Sequence, residues 1–540
     1  MKAVQNMSAD EQALRGSKKY QRRWFTLIVL SMVLLIIGLD VTVLNVALPT
    51  LQQELGASAS ELQWIVNAYV LVFAGVLLTM GTLGDRFGRK LALQVGLVVF
   101  GAASIAAGFA DSTTQLIVAR AAQGIGGAMI MPSTLSVIVD IFPRAERPKA
   151  IGIWAGVSAL GIPLGMVGGG WLLEHFSWGS VFLINAPVAI VALVSGQILV
   201  PESKDPAARR IDVIGAAISM ATLTALIYTI IEAPGRGWLG SVSLAGFAGS
   251  LAGAAAFVWY ELRTSEPMLD IRFFRNPRLS AGTVAVAIAF MAMLGLMFIL
   301  TQYLQFVRGY TPLETGLRFV PMALGFMVGA PSSAVLVNKL GTKKLMSAGL
   351  LIVAGIMLSL SFLTLTTPYW TIGLLLLALG IGMAWAMAPA TDAVMAALPE
   401  EQAGVGSALN DTSRQIGGAL GVGIFGSIFN SVYGSNVASA VAGLPEQAAA
   451  AAQNSIGAAL QVAGGLGAAG EALNAASTAA FIDGLSVTFI VTAAIALIGG
   501  LFVFRFMPAQ DITPDELAAR SAHDDERIAV GRLVAVPVEE

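Results

Sequence analysis

Gly81-Thr82-Leu83-Gly84-Asp85-Arg86-Phe87-Gly88-Arg89-Lys90 is a hydrophilic stretch between two long apolar runs. It combines one acid, three bases and three glycines in a chain that is only 12% charged. Because glycine lets the backbone turn sharply, we interpret the stretch as a tight turn at a membrane surface. Short loops rich in Lys and Arg stay inside, so Arg86, Arg89 and Lys90 predict that this surface is cytoplasmic. A basic anchor that only sets orientation is the alternative, but it would need neither the acid nor the glycine spacing.

The composition of the chain is typical of a membrane protein. Of the 540 residues, 56% are hydrophobic, and the mean hydropathy is +0.77. The apolar runs are continuous rather than alternating and approach the roughly 20 residues that a helix needs to cross a bilayer, so we predict an all-α membrane protein. The N-terminus is polar and basic, and no small-residue cleavage site follows the first run, which indicates a retained helix rather than a signal peptide.

Several classes of function are disfavoured by the residue content. A net charge of −2 gives no basic surface for nucleic acid. The chain has no cysteine, and its two histidines, His175 and His523, lie far apart, so thiol chemistry, disulfides and Cys or His metal sites are not expected. A phosphate-binding loop of the Gly-x4-Gly-Lys-Ser/Thr type is also missing from the sequence. We therefore expect no enzyme activity, no cofactor and no metal.

The apolar runs predict fourteen transmembrane helices with both termini in the cytoplasm. The predicted outer loops contain only Arg236, Arg308 and Arg318 of the 31 lysines and arginines, and Arg120 and Arg414 lie within predicted helices. Omitting one helix would invert every later loop, so this asymmetry supports the count. The predicted helices are 24–47, 62–83, 91–110, 114–139, 150–172, 179–199, 212–231, 241–261, 279–302, 316–337, 345–364, 369–391, 404–428 and 484–506.

A second copy of the opening stretch follows the tenth predicted helix. Its sequence is Leu336-Val337-Asn338-Lys339-Leu340-Gly341-Thr342-Lys343-Lys344, with Asn338 at the position of Asp85. Each copy follows the second helix of a six-helix set if 212–231 and 241–261 are an inserted pair. Two parallel six-helix halves are the architecture of a transporter whose halves rock about a central site.

This repeat predicts a division of the chain into two halves, an inserted pair and two tails. Residues 429–483 form a long outer loop rich in Ala, Gly, Ser and Gln, for which short helices, a hairpin and a flexible loop all remain open. The predicted segments are a cytoplasmic tail 1–23, an N-terminal half 24–199, an inserted pair with linkers 200–278, a C-terminal half 279–506 with the loop 429–483, and a cytoplasmic tail 507–540.

Four charged residues lie well inside predicted helices, away from the helix ends, where ionisable groups are costly and usually functional. Asp40 of the first helix and Arg120 of the fourth lie at similar depth. We interpret them as a pair that loads and releases a proton as its surroundings change, and a static pair that holds the two helices together is the alternative. Asp411 and Arg414 are three residues apart and share one face of the thirteenth helix. A role in a substrate cavity and a snorkelling pair near the membrane surface both remain open there.

The fifth helix is rich in glycine, which predicts a close-packing face with a kink at its proline. The residues of this motif are Gly161, Pro163, Gly165, Gly169 and Gly170. Methionines at 291, 293, 297, 383 and 387 could line a pocket, although we favour lipid-facing positions for them.

These residues resemble a known family. Residues 81–90 resemble the cytoplasmic loop motif of the major facilitator superfamily, and residues 120–127 resemble its fourth-helix motif. Stretches 40–49, 63–69, 261–274, 302–305 and 414–418 are similar to the fourteen-helix drug:proton antiporter branch, the QacA-like exporters. The resemblance covers nearly all of residues 24–506 and implies a major facilitator fold. One departure is Met166, which follows Gly165 where the branch usually has proline.

The resemblance also implies roles for single residues. Asp85 would close the cytoplasmic side against the partly positive N-terminus of the helix that begins near Gly404. The predicted proton-coupling residues are Asp40, Arg120 and Asp411. The predicted substrate cavity contains Asp40, Trp64, Tyr69, Tyr303, Asp411 and Arg414. The predicted cytoplasmic gate contains Gly81, Asp85, Arg86, Gly88, Arg89 and Lys90.

We therefore expect a proton-coupled antiporter that exports amphipathic, mostly cationic drugs by alternating access, acting as a monomer in a bacterial plasma membrane. Its expected partners are small molecules, protons and the lipid bilayer, without nucleic acid. Asp411 favours cationic cargo because a charged drug leaving water needs a counter-charge. Export of a lipid, an endogenous antibiotic or a metabolite by the same fold is the alternative, and a non-transporting membrane sensor is a minor one.

Overall fold

The protein folds into a bundle of α-helices, seen in a computed structural model that describes residues 18–143, 146–204, 211–398 and 403–508. Strands are absent from these residues. A 3-10 helix (Ile271–Arg275) precedes α10, and a π-helix (Tyr303–Val307) follows it. The α-helices in chain order are α1 (Lys18–Glu54), α2 (Ala59–Phe87), α3 (Arg89–Gly108), α4 (Thr113–Ile141), α5 (Arg147–His175), α6 (Ser180–Leu183), α7 (Asn185–Leu199), α8 (Val213–Arg236), α9 (Ser241–Glu261), α10 (Pro277–Gln302), α11 (Pro312–Arg318), α12 (Val320–Leu340), α13 (Thr342–Leu360), α14 (Tyr369–Ala396), α15 (Ala403–Val441), α16 (Glu446–Asn454), α17 (Ile456–Gly465) and α18 (Ala468–Phe506).

The prediction of fourteen membrane-spanning helices is confirmed, because 14 helical segments in the described residues are long and apolar enough to cross a bilayer. Helices α6 and α7 together form one span, as do α11 and α12. Several helices run further than their apolar cores predicted, and α1 continues to Glu54. Of the predicted tails, residues 1–17 and 509–540 lie outside the described part of the chain.

The two six-helix halves have the same internal packing. In the N-terminal half, α1 packs against α5, α2 and α3 pack against α4, and α3 packs against α7. In the C-terminal half, α10 packs against α15, α12 and α13 pack against α14, and α13 packs against α18. The inserted pair is α8 and α9. Helix α8 contacts α2 and α15, one from each half.

Both copies of the charged turn end a helix in the same way. Gly88 follows α2 as its C-cap with a φ of 132°, and Gly341 follows α12 as its C-cap with a φ of 79°. These values lie in the left-handed region, where a side chain would be strained and glycine is favoured. The repeat seen in the sequence is therefore a repeat of backbone geometry.

The two halves touch at the end of the bundle away from these turns. We call the end that carries residues 81–90 the basic end, and the other the opposite end. At the opposite end, Gln305 Nε2 donates to Val46 O at 2.9 Å, and Ser427 Oγ donates to Gln63 Oε1 at 3.2 Å. Close backbone packing of Gly316 of α11 on Val167 of α5 adds a further contact between the halves.

The segment 429–483 differs from the predicted long loop. Helix α15 continues to Val441 and α18 begins at Ala468, with α16 and α17 between them, so the flexible-loop alternative is wrong. Tertiary contacts stabilise the additional helical turns. Phe429 of α15 packs edge-on against Phe481 of α18, with 4.7 Å between the ring centroids. The buried Tyr433 hydroxyl donates to Ala452 O of α16 at 3.0 Å. Alanine-rich sequence has high helix propensity, but these contacts select where each helix ends.

Two acids attach the inserted pair to the linker that follows it. Asp212 caps α8 by accepting from Gly215 N at 2.8 Å, and it also accepts from the Tyr260 hydroxyl of α9 at 3.0 Å. Glu261, the last residue of α9, accepts from Leu269 N at 3.2 Å. The linker is thereby held at the basic end of α8 and α9.

Candidate functional site

A carboxylate is enclosed within the N-terminal half. Asp40 of α1 is 2% exposed and Arg120 of α4 is 1% exposed. Arg120 Nη1 lies 2.5 Å from Asp40 Oδ2, so the structure brings together the two residues predicted to form a pair. This charge-assisted contact joins two helices away from water, and removing either partner would leave an uncompensated buried charge.

Arg120 has further partners that do not involve the acid. Its Nη1 donates to Gln123 Oε1 at 2.8 Å, and its Nε donates to Ile65 O of α2 at 3.3 Å. The Tyr69 ring lies 4.5 Å from the guanidinium carbon, a distance at which an aromatic face attracts a cation. Arg120 would therefore stay anchored to α2 and α4 if its contact with Asp40 were broken.

Three neutral polar residues complete the network, and the sequence analysis did not identify them. Asp40 Oδ1 accepts from Gln123 Nε2 at 3.1 Å and from Asn185 Nδ2 of α7 at 2.8 Å. Ser104 Oγ of α3 accepts from Gln123 Nε2 at 2.7 Å. Gln123 could have been found, since it lies one helical turn from Arg120. Ser104 and Asn185 carry no comparable signal, because neutral polar side chains are common in membrane helices.

The glycine-rich face of α5 holds this part of α1 in place. A Cβ added to Gly161 would lie 3.0 Å from Gly38 Cα, and one added to Gly169 would lie 3.2 Å from Val43 Cα. Thr42 Oγ1 donates to Gly161 O at 3.3 Å. Gly165 faces the same helix at Leu39, whereas Gly170 faces Leu313 of the other half, and Pro163 lies inside the uninterrupted α5. The predicted motif therefore packs α5 on α1 on both sides of Asp40.

The charged pair of the C-terminal half is looser. Arg414 Nη1 lies 3.7 Å from Asp411 Oδ1 on the same helix, α15, and the Arg414 side chain is 31% exposed. The Arg414 guanidinium carbon lies 5.4 Å from the Phe290 ring centroid of α10, and Arg414 Nε is buried without a hydrogen-bond partner. Asp411 itself is 8% exposed. This pair links neighbouring turns of one helix rather than two helices.

The other predicted cavity residues lie in different places. Tyr69 is beneath Arg120, with its hydroxyl buried and unpartnered. Trp64 packs against Tyr228 of the inserted α8, with 6.0 Å between ring centroids. Tyr303 lies at the opposite end, where its hydroxyl donates to Thr364 O at 2.8 Å. Sequence alone could not separate these positions, because the packing of α8 decides what Trp64 faces.

The expectation of lipid-facing methionines is wrong. All five are buried within the protein, at 8% exposure or less. They pack in the large apolar cluster between α10 and α14, because these helices are central in the C-terminal half. The residues are Met291, Met293, Met297, Met383 and Met387.

Most of the predicted gate residues contact neighbouring side chains or backbone at the basic end. Asp85 accepts from Arg89 Nε at 2.8 Å, and Arg89 Nη1 donates to Ser203 Oγ at 3.0 Å. Lys90 Nζ donates to Gln197 O at 2.8 Å. Arg86 lies beside the Phe87 ring, and Gly81 faces Pro132. The helix expected to receive Asp85 begins at Ala403, directly after residues 399–402, which lie outside the described residues.

The chemistry available at this site is that of one enclosed carboxylate. Asp40 contacts side chains of α4 and α7, and a change in its charge would change these contacts. Among the described residues, no cluster of three or more His, Asp or Glu side chains suited to a metal ion occurs.

Comparison with known proteins gives the family. The sequence profile of the Major Facilitator Superfamily matches residues 30–422. The chain belongs to the major facilitator superfamily. It is a multi-pass cell-membrane protein of this transporter family, which comprises transporters rather than enzymes.

Named relatives of this major facilitator protein cover most of its length. It is 34% identical to the tetracenomycin C resistance and export protein of Streptomyces glaucescens, over 92% of this chain and 93% of that protein. It is 37% identical to the multidrug efflux pump LfrA of Mycolicibacterium smegmatis, over 88% and 94%. It is 36% identical to the methyl viologen resistance protein SmvA of Salmonella typhimurium, over 82% and 90%.

Solved major facilitator structures share the fold at lower identity. A bacterial homolog of the human lysosomal transporter Spinster, in an inward-facing and unoccupied conformation, matches with a TM-score of 0.63 and 19% identity, over 91% of this chain and 98% of that one. The xylose transporter XylE from E. coli, in an inward-open conformation, matches with a TM-score of 0.58 and 15% identity, over 92% and 99%.

Proposed function

We propose that this transporter exports amphipathic, mostly cationic compounds out of the cell in exchange for protons, by alternating access. The observation that carries the proposal is the enclosed Asp40 carboxylate, paired with Arg120 at 2.5 Å and bonded to helices α4 and α7. A buried acid with these cross-helix partners links its protonation to the relative positions of three helices, α1, α4 and α7.

Asp411 is the proposed counter-charge for a cationic substrate. Its contact with Arg414 is 3.7 Å long and leaves the acid free to accept a second cation. A positively charged drug that leaves water is stabilised by a buried carboxylate, whereas a neutral drug is not. Competition between the proton and the drug at Asp40 or Asp411 would then release the drug outside.

The turn at residues 81–90 is the proposed cytoplasmic gate. We infer that the basic end faces the cytoplasm, because it carries three bases within five residues. The contacts between the halves at the opposite end would then close the outer side, so the structure corresponds to the cytoplasm-facing state. In the other state, Asp85 would exchange Arg89 for the N-terminus of α15.

The test is transport by the purified chain in reconstituted vesicles. With radiolabelled tetraphenylphosphonium as a lipophilic cation, a proton gradient should drive its accumulation, and an uncoupler should abolish it. Asp40→Asn and Asp411→Asn should each reduce this accumulation. If both variants retain uptake and its sensitivity to the uncoupler, the assignment of these residues is wrong.

Export of an uncharged antibiotic is a second candidate. It is favoured by the Streptomyces glaucescens relative, which is named for resistance to and export of tetracenomycin C. A thermal-shift panel of cationic, neutral and anionic compounds separates the two candidates. Stabilisation by cations that is lost in Asp411→Asn supports the first, and stabilisation by neutral antibiotics that Asp411→Asn retains supports the second.

A further inference from the structure

Asn185 lies at an interruption in the sixth span. Helix α6 ends at Leu183, and α7 begins at Asn185, with Pro187 in its first turn. The side chain of Asn185 is not at the surface, since the residue is 1% exposed. Asn185 therefore presents its side-chain amide to the interior of the N-terminal half.

The two oxygens of Asp40 have different surroundings. Oδ1 accepts two amide N–H groups, from Asn185 at 2.8 Å and from Gln123 at 3.1 Å. Oδ2 is paired with Arg120 Nη1. Ser104 Oγ accepts from the same two amide nitrogens, at 3.4 Å and 2.7 Å, which fixes their N–H groups toward the carboxylate. An amide nitrogen donates and does not accept, so a proton on Oδ1 would face two donors.

We propose that Asn185 is a positioning residue for proton coupling, which reserves Asp40 Oδ1 as an acceptor and directs the incoming proton to Oδ2. The proposal rests on the proton-coupled function above. When hydronium transfers its proton, an O–H bond forms at Oδ2, water is released and the hydrogen bond from Arg120 Nη1 breaks. Arg120 remains charged and keeps Gln123, Ile65 O and the Tyr69 ring as partners.

Protonation of Asp40 would then break one particular contact between helices. The link between α1 and α4 through Arg120 is lost, while the link between α1 and α7 through Asn185 is kept. The ionisable groups that face Asp40 are Arg120 from α4 and Tyr69 from α2. Helices α3 and α7 contribute the uncharged Ser104 and Asn185. Protonation therefore removes the charged contact between α1 and α4, and it keeps the amide contacts of Oδ1 with Asn185 of α7 and Gln123 of α4. The loosening is selective and not only a loss of charge.

The test measures the pH dependence of transport in Asn185→Leu. Removing a donor to a charged oxygen changes proton affinity on the order of tenfold, so the pH of half-maximal tetraphenylphosphonium exchange should move about one unit toward alkaline pH. Asn185→Ser, which keeps a donor, should recover part of this shift. Asn67→Leu is the matched control, because Asn67 is equally buried but both its polar atoms lack a hydrogen-bond partner. Its midpoint should be unchanged.

A second measurement keeps the test independent of transport. The infrared carbonyl band of protonated Asp40, identified by its loss in Asp40→Asn, is followed against pH in detergent. Its midpoint should move to alkaline pH in Asn185→Leu and not in Asn67→Leu. An unchanged midpoint in a folded Asn185→Leu overturns the inference while leaving the proposed function intact. If the unmodified protein shows no gradient-driven exchange, the proposed function fails instead, and the infrared result still decides whether Asn185 controls protonation.

Discussion

Asp40 with Arg120 and Asp411 with Arg414 are both acid–arginine pairs inside membrane spans, but they are built differently. The first joins α1 to α4 at 2.5 Å with both side chains 1% exposed. The second joins two turns of α15 at 3.7 Å, with side-chain exposures of 31% for Arg414 and 11% for Asp411. The first pair also has amide partners from α4 and α7, and both amides donate to Ser104 of α3, whereas Arg414 Nε has no partner.

This difference leads us to expect a division of roles between the halves. If a pair has partners on several helices, protonation of its acid would change the contacts between those helices. A loose pair on one helix changes few contacts when its acid meets another cation. We therefore expect the N-terminal pair to control stability and coupling, and the C-terminal pair to control which substrates bind.

The largest effect is expected from breaking the N-terminal pair on one side. Arg120→Leu leaves the Asp40 carboxylate buried without its counter-charge, which should destabilise the protein by about 3–5 kcal/mol. Adding Asp40→Asn to Arg120→Leu should recover more than half of the lost stability, because no unpaired charge remains. Thermal unfolding in detergent measures the stability of the single and the double variant. At the other pair, Arg414→Leu should cost clearly less stability than Arg120→Leu, because its contact with Asp411 is 3.7 Å long and Arg414 is 31% exposed. Equal losses of stability at the two pairs would contradict the division of roles.

Crowding the helix contact beside Asp40 should have the next largest effect. In Gly161→Leu the new side chain meets Gly38 and Leu35 O of α1, so α1 and α5 must separate. Overpacking of this kind is expected to destabilise by about 1–3 kcal/mol and to lower transport strongly. Gly168→Leu on the same helix is the control, since its Cβ would meet nothing within 4 Å. Equal losses of stability and transport in the two variants would contradict a specific role for the contact between Gly161 and α1.

Removing the C-terminal acid should alter selectivity with little effect on folding. In Asp411→Asn, the apparent KM for tetraphenylphosphonium should rise about tenfold, which corresponds to about 1.4 kcal/mol. The KM for an uncharged substrate should stay within twofold of the original, roughly 0.4 kcal/mol on the same scale. Asp483→Asn serves as a control, because Asp483 is exposed and accepts from Asn436 at the opposite end. A KM that rises equally for charged and uncharged substrates would remove Asp411 as the counter-charge.

The smallest effect on transport and stability is expected from substitutions in the two copies of the charged turn. Asp85→Asn should slow transport several-fold while changing stability by less than about 1 kcal/mol, because its pair with Arg89 is partly exposed. Asn338→Asp places an acid at the matching, exposed position of the second copy and should leave transport unchanged. Turnover in vesicles compares the two. An equal effect at both positions would show that the gate is symmetric.

Part of the candidate site was predictable because charge inside a membrane is conspicuous. Asp40, Arg120, Asp411 and Arg414 could be selected from the sequence for this reason alone. Asn185 and Ser104 could not, since the rotation of α7 and α3 decides whether a neutral polar side chain reaches the carboxylate. The neighbour of Trp64 could not be predicted either, since the position of α8 places Tyr228 against it.

The sequence by itself determined the number of spans, the family and the repeat of the charged turn, because each depends on local composition and on backbone conformations that glycine permits. Only the tertiary structure decided that α15 and α18 extend into 429–483, where Phe429 and Phe481 meet. It also decided which oxygen of Asp40 faces Arg120 and which faces Asn185. Such contacts join residues from 52 to 145 positions apart, and their geometry follows from how whole helices pack.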